Sequence, residues 1–214
     1  GKEYTVTGID VGQSTKLENL HELRIPPTVR HIFPEACVNI KSLRKVNIPD
    51  HSRVYSGAFA ECGIEELILG EYVILEEGCF DGIRTKQVNI PDTTKWVPSR
   101  IEDESDSCIE PIPVSSDSMY DILGFIFRYS IWHYMELLKH ARKGEMWAVE
   151  ALAESAVGAL ISADIDGSYY NYPFSPDEIL SLMDEDEKHL ISQFKENQER
   201  IMNMSVSDDE DLPF

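Results

Sequence analysis

The sequence predicts an α+β chain in two parts: a short solenoid of repeated coils, then a small helical domain ending in a flexible acidic tail. Three observations carry this. An apolar unit recurs four times in the first hundred residues, apolar residues fall at helical spacing in the second half, and charge is divided unevenly between the halves. Of the net −20, residues 1–100 hold −2, with 12 Lys and Arg against 14 Asp and Glu, and residues 101–214 hold −18, with 7 against 25. Halves so different in charge are expected to have different jobs. At 42% apolar and 27% charged residues the chain has the balance of a folded protein. Its 214 residues can bury a core without disulfides or a structural metal, and no run of apolar residues is long enough to span a membrane. The excess of acids repels a duplex phosphate backbone, so no direct nucleic-acid binding and no membrane partner are expected.

The repeated unit is Leu20, Leu23, Ile25, Pro26; then Leu43, Val46, Ile48, Pro49; then Ile64, Leu67, Leu69, Gly70; then Thr85, Val88, Ile90, Pro91, with starts 23, 21 and 21 residues apart. The last two apolar positions of each unit alternate with an outward residue, the period of a short strand, and proline ends it because it cannot donate to a ladder. Between strands come further apolar positions (Val29 and Ile32; Val54; Val73 and Leu75) and a compact turn. The turns carry Ala36 and Cys37; Ala58, Phe59 and Cys62; and Cys79, Phe80 and Ile83. A coil of this kind cannot bury its apolar face alone, so neighbours and caps are required. Tyr4, Val6, Ile9 and Val11 suit an N-terminal cap. Arg24, Arg44, Asn47, Ile68, Lys86 and Asn89 are expected on the exposed side of the stacked strands.

Over about residues 17–101 these units resemble the leucine-rich repeats of the BspA-like type, most closely at residues 54–69. The resemblance implies a leucine-rich-repeat solenoid over residues 1–101, cap included, whose surface hosts protein interactions. Three positions depart from the pattern: Gly70 replaces proline, Thr85 replaces an apolar residue, and Cys37 stands where phenylalanine is usual.

Residues 102–118, rich in acid, serine and proline, read as an acidic linker. The helical domain is expected over residues 119–202. It opens with one largely buried helix from Met119 to about Lys143, capped by Ser118 with Asp121 and ended by Gly144. A second helix is expected from Glu145 to Ala163, and one or two more after a Ser175 cap and a Pro176 first turn. Phe125, Phe127, Trp132 and Trp147 read as core.

Cys37, Cys62, Cys79 and Cys108 lack ligand spacing and read as reduced thiols, and the six histidines are scattered. The stretch at Asp164, Asp166 and Gly167 has Pro173 where a calcium loop needs its bidentate glutamate. Acid pairs such as Asp184 and Glu187 read as a solvated helix face. With no nucleophile, metal or nucleotide motif, no cofactor and no enzyme activity are expected. Reduced thiols favour the cytoplasm; no signal peptide opens the sequence at Gly1, and a removed one would make the protein cell-surface or secreted.

Residues 203–214 form the tail, and its tip is Asp208, Asp209, Glu210, Asp211, Leu212, Pro213, Phe214. This resembles the acidic C-terminal tip of bacterial single-stranded DNA-binding proteins (SSB), although nothing else in the chain is similar to that family. Phe214 would offer a ring for an apolar pocket and a terminal carboxylate for a cation. Pro213 limits the ordering entropy, and the four acids attract a basic rim. The resemblance implies docking onto the replication, recombination and repair proteins that bind SSB tails, by recruitment or competition; a phage or mobile-element origin would fit. The alternative from the repeats is a cell-surface or secreted adhesion protein with a solubilising tail.

Overall fold

A computed structural model describes residues 3–10, 17–98, 110–115, 119–155, 158 and 176–207. The chain divides into two compact units, Gly1–His133 and Tyr134–Phe214.

The first unit is a β-solenoid of about four turns. Its strands are β1 (Gly8–Ile9), β2 (Glu22–Arg24), β3 (His31–Ile32), β4 (Lys45–Ile48), β5 (Arg53–Val54), β6 (Glu66–Leu69), β7 (Ile74–Glu76), β8 (Lys95–Val97) and β9 (Ile112–Pro113). They form a six-stranded sheet, β1-β3-β5-β7-β8-β9, and a three-stranded sheet, β2-β4-β6. All pairings are parallel except β8 with β9, formed by Ile112 and Pro113 within the stretch read as a linker. The register repeats the sequence period: Glu22 pairs with Lys45, Lys45 with Glu66, and Ile68 bridges to Asn89. The other sheet pairs His31 with Arg53, Arg53 with Ile74, and Ile74 with Lys95. Because each coil adds the same side chain at the same height, Ile32, Val54, Leu75 and Trp96 make one buried column and Val46, Leu67 and Val88 another.

Two departures from the repeat pattern have local causes. Gly70 donates its N–H to the Ile48 carbonyl at 2.9 Å, a bond proline cannot make. A Cβ there would lie 2.4 Å from Asp50 Oδ1 and 2.6 Å from the Asp50 nitrogen. Thr85 is fully buried but satisfied, since its hydroxyl donates to the Gln87 carbonyl at 2.8 Å.

The continuous helix expected from Met119 to Lys143 is broken. Helix α1 (Met119–Phe125) ends, residues 126–130 form a turn, and α2 (Ile131–Ala141) begins. That turn is a further turn of the solenoid, separated from the preceding coil by the segment that carries β9 and α1. Phe59 N–H donates to the Cys79 carbonyl (2.9 Å) and Glu61 N–H to Asp81 (2.7 Å). One layer on, Phe80 N–H donates to Ile126 (3.1 Å) and Gly82 N–H to Arg128 (2.6 Å). The phenyl rings continue the column, Phe59 to Phe80 at 5.6 Å and Phe80 to Phe127 at 5.4 Å, with Trp132 edge-on to Phe127 at 5.1 Å. Left-handed backbone recurs in step, at Asn39 (φ 61°), Glu61 (59°), Gly82 (67°) and Tyr129 (59°). A helix cannot hold that conformation, and burying Phe127 on Phe80 outweighs the helix hydrogen bonds given up.

The second unit contains the remainder of α2, then α3 (Met146–Ala153), α4 (Pro176–Leu180) and α5 (Glu185–Ser207). Gly144, at φ 81°, follows α2 as the left-handed glycine the sequence required. Helix α4 starts on Pro176, where its missing N–H costs nothing. Helix α5 runs to Ser207, past the boundary expected at 202. The pair Asp184 and Glu187, read as solvated acids, is a reciprocal capping box for α5. The Asp184 N–H donates to Glu187 Oε2 and the Glu187 N–H to Asp184 Oδ1, both at 2.9 Å. Helix α3 packs on α5, and Leu137, Leu138, Val149, Leu152, Ile179 and Ile191 are buried.

Candidate functional site

The outer side of the three-stranded sheet carries two rows set by the strand period, Glu22, Lys45 and Glu66, then Arg24, Asn47 and Ile68, with Asn89 following by its bridge. Lys45 pairs with Glu66, and Arg24 Nε lies 2.8 Å from Glu22 Oε1, holding that carboxyl below its usual range. Ile68 is 46% exposed between the two asparagines. Arg44, expected on this face, precedes β4 and serves the turns instead. Its guanidinium donates to the carbonyls of Lys41 (2.5 Å) and Gly63 (3.2 Å) and reaches Glu65 at 3.4 Å. Lys86 is exposed ahead of the Asn89 bridge.

The six-stranded sheet presents a second surface. His31 and Phe33 flank the inward Ile32, and Arg53 and Tyr55 flank the inward Val54, so both pairs turn outward. The rings of His31, Phe33 and Tyr55 lie 5.8–6.0 Å apart. The Tyr55 hydroxyl is 3.2 Å from His31 Nδ1, and the Arg53 guanidinium lies 5.2 Å from the Tyr55 ring centre and 2.6 Å from Glu76. The alternation about Ile32 and Val54 is the signal of this surface in the sequence.

At the closing turn, Arg128 donates to Asp81 Oδ2 at 3.0 and 2.7 Å and lies 3.6 Å from Glu77. Burial pushes the Asp81 carboxyl up to about 6, against the hydrogen bonds and charge of Arg128, which hold it down. Burial, with the charge of Arg128, pushes His133 down to about 4. Cys37, Cys62 and Cys79 are buried free thiols. Burial raises Cys37 to about 11, Cys62 to about 12 and Cys79 well above its usual value, so none is a ready nucleophile at neutral pH.

In the second unit, α2, α3 and α5 border a half-open cavity of about 280 Å³. Leu138, Val149, Leu152 and Ile191 line it, with Leu190, Asp184, Asp186, Glu187 and Arg142 among its other walls. Arg142 is held by Glu187 at 2.5 Å and by the Leu182 carbonyl at 3.1 Å.

Among the described residues, no group of three or more His, Cys, Asp and Glu is placed to hold a metal ion, and no helix is long and apolar enough to cross a membrane. The tip residues Asp208, Asp209, Glu210, Asp211, Leu212, Pro213 and Phe214 lie outside the described residues, as do Cys108, the Ser118 and Ser175 caps and the stretch at Asp164. No protein-family model, curated protein or solved structure matches the chain.

Proposed function

We propose that this chain is a non-enzymatic protein-interaction module whose acidic tip docks onto the DNA replication, recombination and repair proteins that bind SSB tails, recruiting them or competing for them. The observation that carries the reading is the tip sequence, four consecutive acids followed by Leu212, Pro213 and Phe214. The ring of Phe214 and the side chain of Leu212 fill an apolar pocket, and Pro213 lowers the entropy lost on docking. The acids act over a longer range on a basic rim, and so chiefly on association rate. The repeats support the same class of function: their sequence resembles BspA-like leucine-rich repeats, and a parallel solenoid holds its outward side chains in fixed rows suited to a protein partner.

The test is fluorescence anisotropy of a labelled SSB-tail peptide on a tail-binding repair enzyme, competed by the intact chain and by one lacking residues 212–214. Displacement by the intact chain alone is expected. Failure of both to displace the peptide sinks the reading. Tip peptides with a free and an amidated Phe214 carboxylate show whether that group takes part.

A further inference from the structure

The cavity bounded by α2, α3 and α5 lies in the second unit and is independent of the tip. We infer that it is the seat for a basic amphipathic helix of a partner protein, which places one large apolar side chain in the cavity and its cations against the rim. Three observations converge on that occupant.

The first is size and lining. About 280 Å³ walled largely by Leu138, Val149, Leu152 and Ile191 accepts a leucine, methionine or phenylalanine side chain. The second is that the apolar surface continues outside the cavity. Leu190, in its wall, is 42% exposed, and Met146 is 52% exposed one turn before Val149 on the same stripe of α3. Exposed apolar side chains spaced along a groove receive the successive anchors of a helix, and methionine adapts to varied shapes.

The third is charge. Asp184, Asp186 and Glu187 stand at the cavity, and Arg142, the one cation among its described lining residues, is already paired with Glu187. Residues 134–207 of this unit hold six Lys and Arg against fourteen Asp and Glu, a net of −8. An acidic segment, the chain's own residues 208–211 included, is repelled from such a rim, whereas lysines flanking an apolar anchor are drawn to it.

The probe is a labelled synthetic peptide of about 18 residues, five helical turns, with leucines on one face and lysines elsewhere. It is titrated with the full chain at about 0.1 M salt. One control has the same composition scrambled to destroy the apolar face, and another has glutamate in place of lysine. Binding of the first peptide, at least about tenfold tighter than either control, is expected. Leu190→Glu, on a half-exposed wall residue, weakens it about tenfold, and Asp186→Lys, on an exposed side chain, weakens it severalfold. Circular dichroism checks that each variant folds, and Asp186→Lys carries the test if Leu190→Glu does not. Equal binding of the scrambled peptide, or no loss in the folded variants, overturns the inference and leaves only attraction to a −20 chain. Ending the chain at Ser207 should change binding by less than about twofold; abolition of binding would assign the peptide to the tip and overturn the inference while leaving the tip's own reading to its separate assay.

Discussion

Truncating Phe127 tests whether residues 126–130 belong to the solenoid. Its ring is fully buried, 5.4 Å from Phe80 and 5.1 Å from Trp132, and Phe→Ala at such a site costs about 3–5 kcal/mol. In a quasi-one-dimensional stack the loss falls first on the coil beneath. Cys79, adjacent to Phe80 and fully buried, reports that coil, and Cys37 reports one two coils away. A local opening eased by about 3 kcal/mol raises the labelling rate of Cys79 by a thiol reagent about 150-fold. Cys62 should follow less steeply and Cys37 least. The assay is timed alkylation in native buffer, read peptide by peptide by mass spectrometry. Cys79 labelled within about threefold of its wild-type rate would show that the turn does not close the solenoid.

Gly70→Ala forces a Cβ onto the Asp50 backbone and should cost about 2–3 kcal/mol in urea denaturation; Gly70→Pro, closer to the repeat pattern, should be worse because it also deletes the bond to Ile48. The Asp81 carboxyl rises from 3.8 unfolded to about 6 folded, so its contribution to stability is fullest below pH 4 and falls by up to about 3 kcal/mol as pH rises to 6. Asp81→Asn should flatten that slope, seen as the difference from wild type in denaturation at successive pH values. Arg128→Met, which removes the bonds holding the carboxyl down, should push it higher in a carbon-detected NMR titration. His133 acts in the opposite sense, its contribution falling as pH drops from 6.5 towards 4. Asp184→Ala, which opens the capping box of α5, should cost about 1 kcal/mol in thermal denaturation.

The coarse α+β fold, the period of the coils and the inward columns were legible from the sequence because strand alternation and a fixed repeat length leave a direct trace in residue order. Val46, Leu67 and Val88 are recognisable without coordinates, and so are the glycine after α2 and the proline at the start of α4, since local backbone geometry alone selects them. The tip, too, is read wholly from its residue types. What residue order could not show was which distant segments share a layer. Ile126, Phe127 and Arg128 carry helical spacing and are distant from Phe80 in sequence, so periodicity assigned them to a helix. Only the tertiary structure places Phe127 on the Phe80 ring, turns Arg44 from a surface row to the carbonyls of two coils, and gathers Leu138, Leu152 and Ile191 around one cavity. The physical reason is the same in each case: local propensity differs between backbone states by a few tenths of a kcal/mol per residue, whereas burying a phenyl ring or satisfying two carbonyls is worth several times that, and those gains depend on neighbours remote in the chain.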